Sequence, residues 1–117
     1  MRHLICAALF GLLTIAPAQS AQKDYNGRWT IIGTTEHGQC VKGFKLKIRI
    51  YDGKAYVIGR SLNGTKSAIS SRGHVTIKYV SGKDVITANG SLKRRSGTGR
   101  WNFPTYRCAG RWRAERS

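Results

Sequence analysis

Phe44-Lys45-Leu46-Lys47-Ile48-Arg49-Ile50-Tyr51 alternates apolar and basic residues without a break and runs directly into Asp52-Gly53. Strict alternation places every second side chain on the same face, the pattern of an antiparallel strand with one face in a core and one in water. Asp-Gly is a preferred two-residue hairpin turn, because both central positions of that turn take positive φ. Lys54 to Ile58 is therefore expected to pair back on the first strand.

The same signals recur on both sides of this hairpin. Gly27-Arg28-Trp29-Thr30-Ile31-Ile32 reads as the first strand, followed by a loop from Gly33 to Gly43 that contains Cys40. Gly59 to Arg72 is polar and reads either as a long loop or as a weak strand around Ser67 to Ser70. Gly73 to Val80 alternates again, Ser81-Gly82-Lys83-Asp84 turns, and Val85 to Leu92 returns. Lys93-Arg94-Arg95-Ser96-Gly97 is a basic turn before two last strands, Gly99 to Phe103 and Cys108 to Arg113, separated by Pro104. No helix is expected after the leader. Short strands joined by tight turns describe an all-β, single-domain antiparallel meander, and so short a chain is expected to curl it into a small barrel that removes the exposed edges. The expected core is Trp29, Ile31, Phe44, Leu46, Ile48, Ile50, Val57, Val75, Ile77, Tyr79, Ile86, Ala88, Trp101, Phe103 and Trp112.

The N-terminus points to export. Arg2 and His3 precede the apolar stretch Leu4 to Ala16, which ends in the small-residue run Ala16-Pro17-Ala18-Gln19-Ser20-Ala21, the pattern of a secretory signal peptide. Cleavage fits after Ala18, Ser20 or Ala21; the last gives a leader of residues 1–21 and a domain of residues 22–117. The stretch is shorter than the ~20 apolar residues of a membrane-spanning helix, so no transmembrane anchor is expected. A secreted or periplasmic location follows. Cys6 leaves with the leader, and the remaining Cys40 and Cys108 are expected to pair in an oxidising compartment.

The chain carries 21 Lys and Arg against 5 Asp and Glu. Removal of the leader costs only Arg2. A charge of this size opposes folding through self-repulsion and suits an anionic partner. Lys45, Lys47 and Arg49 should project from one strand face about 7 Å apart, with Lys54 and Lys78 extending that face on partner strands. Lys93, Arg94 and Arg95 add a turn-borne cluster, and Arg100, Arg107, Arg111 and Arg113 crowd the C-terminal strands. Rows of spaced cations without a deep pocket suit the phosphate or sulfate groups of a polyanion, whose binding draws on counterion release. The candidates are an anionic envelope polysaccharide, lipopolysaccharide, anionic lipid headgroups at an envelope surface, a host sulfated glycan or an acidic protein. Export disfavours nucleic acid.

The tripeptide Gly-Arg-Trp occurs at residues 27–29, 99–101 and 110–112 and holds every tryptophan in the chain. A glycine two residues before a tryptophan lies on the same strand face and can leave room for an indole from a neighbouring strand. On this reading the indoles pack inside and the arginines point out. The alternative places the indoles on the surface as sugar platforms, as in a carbohydrate-binding module. Gly27-x-Trp29 on a first strand, with Cys40 about a dozen positions on and an alternating strand after it, resembles the opening of the calycin barrels, which include the lipocalins and the periplasmic inhibitors of secreted metalloproteases. The resemblance covers about the first third of the exported chain. It implies a barrel fold and, as an alternative function, inhibition of a secreted hydrolase; Cys108-Ala109-Gly110-Arg111-Trp112 departs from both families.

Enzymatic activity is not expected. After the leader the histidines are His37 and His74, and Asp24, Asp52, Asp84 and Glu115 sit at turns or termini. Glu36-His37 is the one adjacent acid–imidazole pair and reads as loop polarity. No nucleophile–base constellation, metal-ligand spacing or glycine-rich phosphate loop can be assembled, so neither cofactor nor metal is expected. Asn63-Gly64-Thr65 and Asn89-Gly90-Ser91 are glycosylation acceptors only in a eukaryotic secretory pathway.

Overall fold

The structure, a computed structural model, describes residues 25–61 and 63–117; the expected signal peptide lies outside them. Eight antiparallel strands follow one another: β1 Gly27–His37, β2 Gly43–Tyr51, β3 Lys54–Val57, β4 Thr65–Ile69, β5 His74–Ser81, β6 Asp84–Leu92, β7 Ser96–Phe103 and β8 Cys108–Arg116. Each is hydrogen-bonded to its neighbours in the order β3-β2-β1-β8-β7-β6-β5-β4. Because β8 returns to pair with β1, the meander curls into a barrel that is nearly closed, with its two edge strands, β3 and β4, facing each other. No ladder joins them. Ile69 N–H donates to Gly53 O at 2.8 Å, and the Ser67 hydroxyl accepts from Ala55 N–H at 2.9 Å.

The β2–β3 hairpin forms as its turn chemistry requires. Asp52 and Gly53 both have positive φ, 52° and 76°, and Tyr51 pairs with Lys54. Elsewhere the structure departs from the expected boundaries. β1 runs on to His37, so the connection to β2 shrinks to residues 38–42. Gly33 permits this, because it lies beneath the Phe44 ring, where a side chain would collide. The Gly59 to Arg72 segment contains a strand, β4, one edge of which is satisfied by β5. The expected turn at Lys93–Gly97 is tighter, with β7 starting at Ser96. The sole interruption before β8 is a 3-10 turn, Pro104–Tyr106.

The buried interior includes Trp29, Ile48, Ile50, Ile69, Val75, Leu92 and Ala114. Ile69, Leu92 and Ala114 were not among the expected core residues; the first lies in the ambiguous segment and the last beyond the expected end of β8. Leu46 is a correction in the other direction. It lies on the inward face opposite Ile31 yet is 38 % exposed, at an end of the barrel where Ile31, Phe44, Val57 and Tyr79 are also only half-buried.

All three tryptophans are core: Trp29, Trp101 and Trp112 are 1 %, 9 % and 7 % exposed. Their indole N–H groups donate to Tyr25 O, Thr34 O and Arg100 O, which removes the cost of burying an unpaired donor. Trp112 lies over Gly99 and Gly90. Of the three tripeptide glycines, Gly99 thus serves as floor for an indole from another strand, whereas Gly27 lies nearest the Arg116 side chain and Gly110 packs against the backbone of Thr34; the surface-platform reading of the tryptophans is corrected. Cys40, in the β1–β2 connection, is bonded to Cys108 at the start of β8.

Candidate functional site

Alternation that buries the apolar face necessarily turns the basic one to water. Arg28, Lys45, Lys47, Arg49, Arg100, Arg111 and Arg113 are all exposed, and the strand register places them side by side. Arg28 faces Arg49, Lys47 faces Thr30, and Lys45 faces Ile32 across β1 and β2. On the other side of β1, Ile32 faces Arg113 and Thr34 faces Arg111; Arg111 faces Arg100 across β7 and β8. Directly opposed residues lie about 5 Å apart, so four adjacent strands carry one basic face, in which the β2 and β8 cations flank Thr30, Ile32 and Thr34 of β1.

Two carboxylates interrupt it. Glu115 lies 3.6 Å from Arg113. Glu36 sits at a bulge in β1, between Thr35 and His37, and reaches both Arg111 at 2.9 Å and Arg100 at 3.5 Å. Opposed like charges destabilise a strand pair, and a carboxylate between the two guanidiniums offsets that repulsion. This accounts for the Glu36-His37 pair: the carboxylate is engaged by two arginines. A shallow polar concavity of about 330 Å³ beside it is lined by Glu36, His37, Asn89, Arg100 and Asn102 among others. No group of three or more His, Cys, Asp or Glu side chains capable of holding a metal occurs among the described residues.

The other expected site residues are distributed as follows. Lys54 begins β3, partner of β2, and so lies beside the basic face at its margin. Lys78 does not extend the β2 row: its strand, β5, pairs with β4 and β6, and Lys78 faces Lys66 and Thr87. Lys93, Arg94 and Arg95 form the β6–β7 turn, tied to the end of β8 by Arg116, whose N–H donates to Arg95 O and whose Nη1 donates to Arg94 O at 2.8 Å. The same guanidinium donates to Asn26 O at 2.6 Å and stacks over the Trp29 ring, 5.2 Å from its centroid. The turn therefore adjoins the Ser96–Glu115 end of the basic face.

Arg28 belongs to the face and Tyr56 borders it, opposite Arg49, and neither is among the residues expected to bind; Arg113, expected only as one of the cations crowding the C-terminal strands, also joins the face. Tyr56 was accessible to sequence reasoning, since a two-residue turn at Asp52-Gly53 puts residue 56 opposite residue 49. Arg28 and Arg113 join through pairings of β1 with β2 and β8, which no local signal specifies.

No known protein family matches the chain, and no curated protein matches it in sequence. Among the described residues, no helix is long and apolar enough to cross a membrane.

Proposed function

We propose that this is an exported binding protein, not an enzyme, that holds an anionic polymer or surface on the outer face of β2, β1, β8 and β7. The polymer is an envelope polysaccharide, lipopolysaccharide or sulfated glycan. The observation that carries this reading is the register itself: seven cations from four adjacent strands share one face with two carboxylates. Such a face binds through many spaced charge contacts, each releasing a counterion, and asks no particular sequence of the polymer. The disulfide and the signal-like leader both suit an extracytoplasmic location.

Retention of the disulfide-bonded protein on immobilised heparin and on lipopolysaccharide, measured across a salt series, tests the proposal. Retention near physiological salt that falls steeply and log-linearly with salt is the expected result. Elution with the void volume at that salt on both matrices overturns it and leaves the charge as a solvated surface.

A further inference from the structure

The barrel wall is incompletely joined where β3 meets β4, and a cleft of about 460 Å³ opens there. At one end Gly53 and Ile69 are bonded, and Ser67 stands in for a backbone partner of Ala55. Beyond this point Val57 and Thr65, next in register, have no cross-seam bond among the described residues. The walls carry Lys54, Arg60 and Lys66, all exposed, and no carboxylate among the described lining residues. Tyr56, 51 % exposed, stands on the same wall. Thr65 Oγ1 is buried and has no hydrogen-bond partner among the described residues.

The geometry points to a subsite for one anionic sugar residue, a uronate or a sulfated pyranose, in this cleft; the inference rests on the polyanion reading above and gives the polymer a fixed point of entry. Three cations set the sign of the ligand. The Tyr56 ring supplies a flat apolar surface with a polar tip, suited to a pyranose face, and the Thr65 hydroxyl, which lines the cleft without a partner among the described residues, matches a ring hydroxyl. An acidic peptide strand fits less well. Adding a strand requires a free edge along its length, whereas here one end is closed by the Gly53–Ile69 bond and the Ala55 N–H is already taken. Across β2 and β3, Tyr56 faces Arg49 and Arg49 faces Arg28, so a chain anchored in the cleft passes directly onto the basic face.

Calorimetric titration with a sulfated heparin disaccharide, which is too short to follow the rows, isolates the cleft. Saturable one-to-one binding is expected, weakened roughly tenfold by Tyr56→Ala and by Lys66→Gln. Replacing Lys45 and Arg113 by Gln, neither of which pairs with a residue lining the cleft, should leave it within about twofold. Cellobiose should not bind, and inorganic sulfate or hexaglutamate should compete only weakly. No saturable binding, binding indifferent to Tyr56→Ala and Lys66→Gln, or equal competition by sulfate or hexaglutamate overturns the subsite. Failure of the broader reading shows differently, as loss of long-chain heparin retention while the disaccharide result stands by itself.

Discussion

Glycine and tryptophan divide the labour of the repeated tripeptide. At Gly99 an added methyl would run into Asn89 O and the Trp112 indole, so Gly99→Ala should destabilise by about 1–3 kcal/mol through overpacking. Gly43 is the control: it is exposed, and the nearest atom to an added methyl is Gly33 O at 3.4 Å. Urea denaturation of Gly43→Ala should fall within about 0.5 kcal/mol of the parent. Equal losses at both positions would show that the indole does not need the bare backbone beneath it. The arginines between these residues are exposed, which leaves one short motif supplying both the packing and the charge.

A single strand, β2, carries the same division along its length, and three substitutions there read it out. Ile48 is buried opposite Trp29 and Val57, so Ile48→Asp places an unpaired carboxylate in the core and should cost more than about 4 kcal/mol, enough to prevent folding. Leu46→Asp should be milder, about 1–3 kcal/mol, because the part-open end of the barrel leaves the site partly hydrated. Lys47→Ala should change stability by less than about 0.5 kcal/mol. Circular dichroism and chemical denaturation rank the three; equal effects for Ile48→Asp and Lys47→Ala would contradict a half-buried strand. This much was legible beforehand, because alternation and turn chemistry are local: the β2–β3 and β5–β6 hairpins and the outward rows follow from neighbouring residues alone. What was hidden depends on contacts between distant segments. The continuation of β1 past Gly33 needs Phe44 above it, β4 needs β5 beside it, and the exposure of Leu46 reflects how one end of the barrel fills. Lys78 was misplaced for the same reason, since its face is chosen by which strands flank β5.

At the scale of the whole molecule, two features hold a highly charged chain in one curled sheet: the pairing of β8 with β1, and the bridge from the β1–β2 connection to the start of β8. With its cysteines 68 positions apart in sequence, the bridge should stabilise the fold by about 4 kcal/mol in the chain-entropy description. Non-reducing mass spectrometry of the purified protein should show Cys40 linked to Cys108, and Cys108→Ser should lower stability by about 2–5 kcal/mol; quantitative alkylation of both thiols without reduction would contradict this. The pairing of β1 with β8 also brings separate rows of cations onto one face, and under the proposed function position, not total charge, is what a polyanion reads. Two triple variants of equal net charge separate these possibilities. One replaces Lys45, Lys47 and Arg49 on the proposed face by Gln, and the other replaces Arg72, Lys78 and Lys83, which lie on β5 or the turns flanking it. The most direct measurement is the salt dependence of heparin affinity for both. The predicted result is a drop of about 2 to 3 in the log–log slope for the first variant, through the loss of three counterion-releasing contacts, with a much smaller change for the second. Equal changes in the two would contradict a defined binding face.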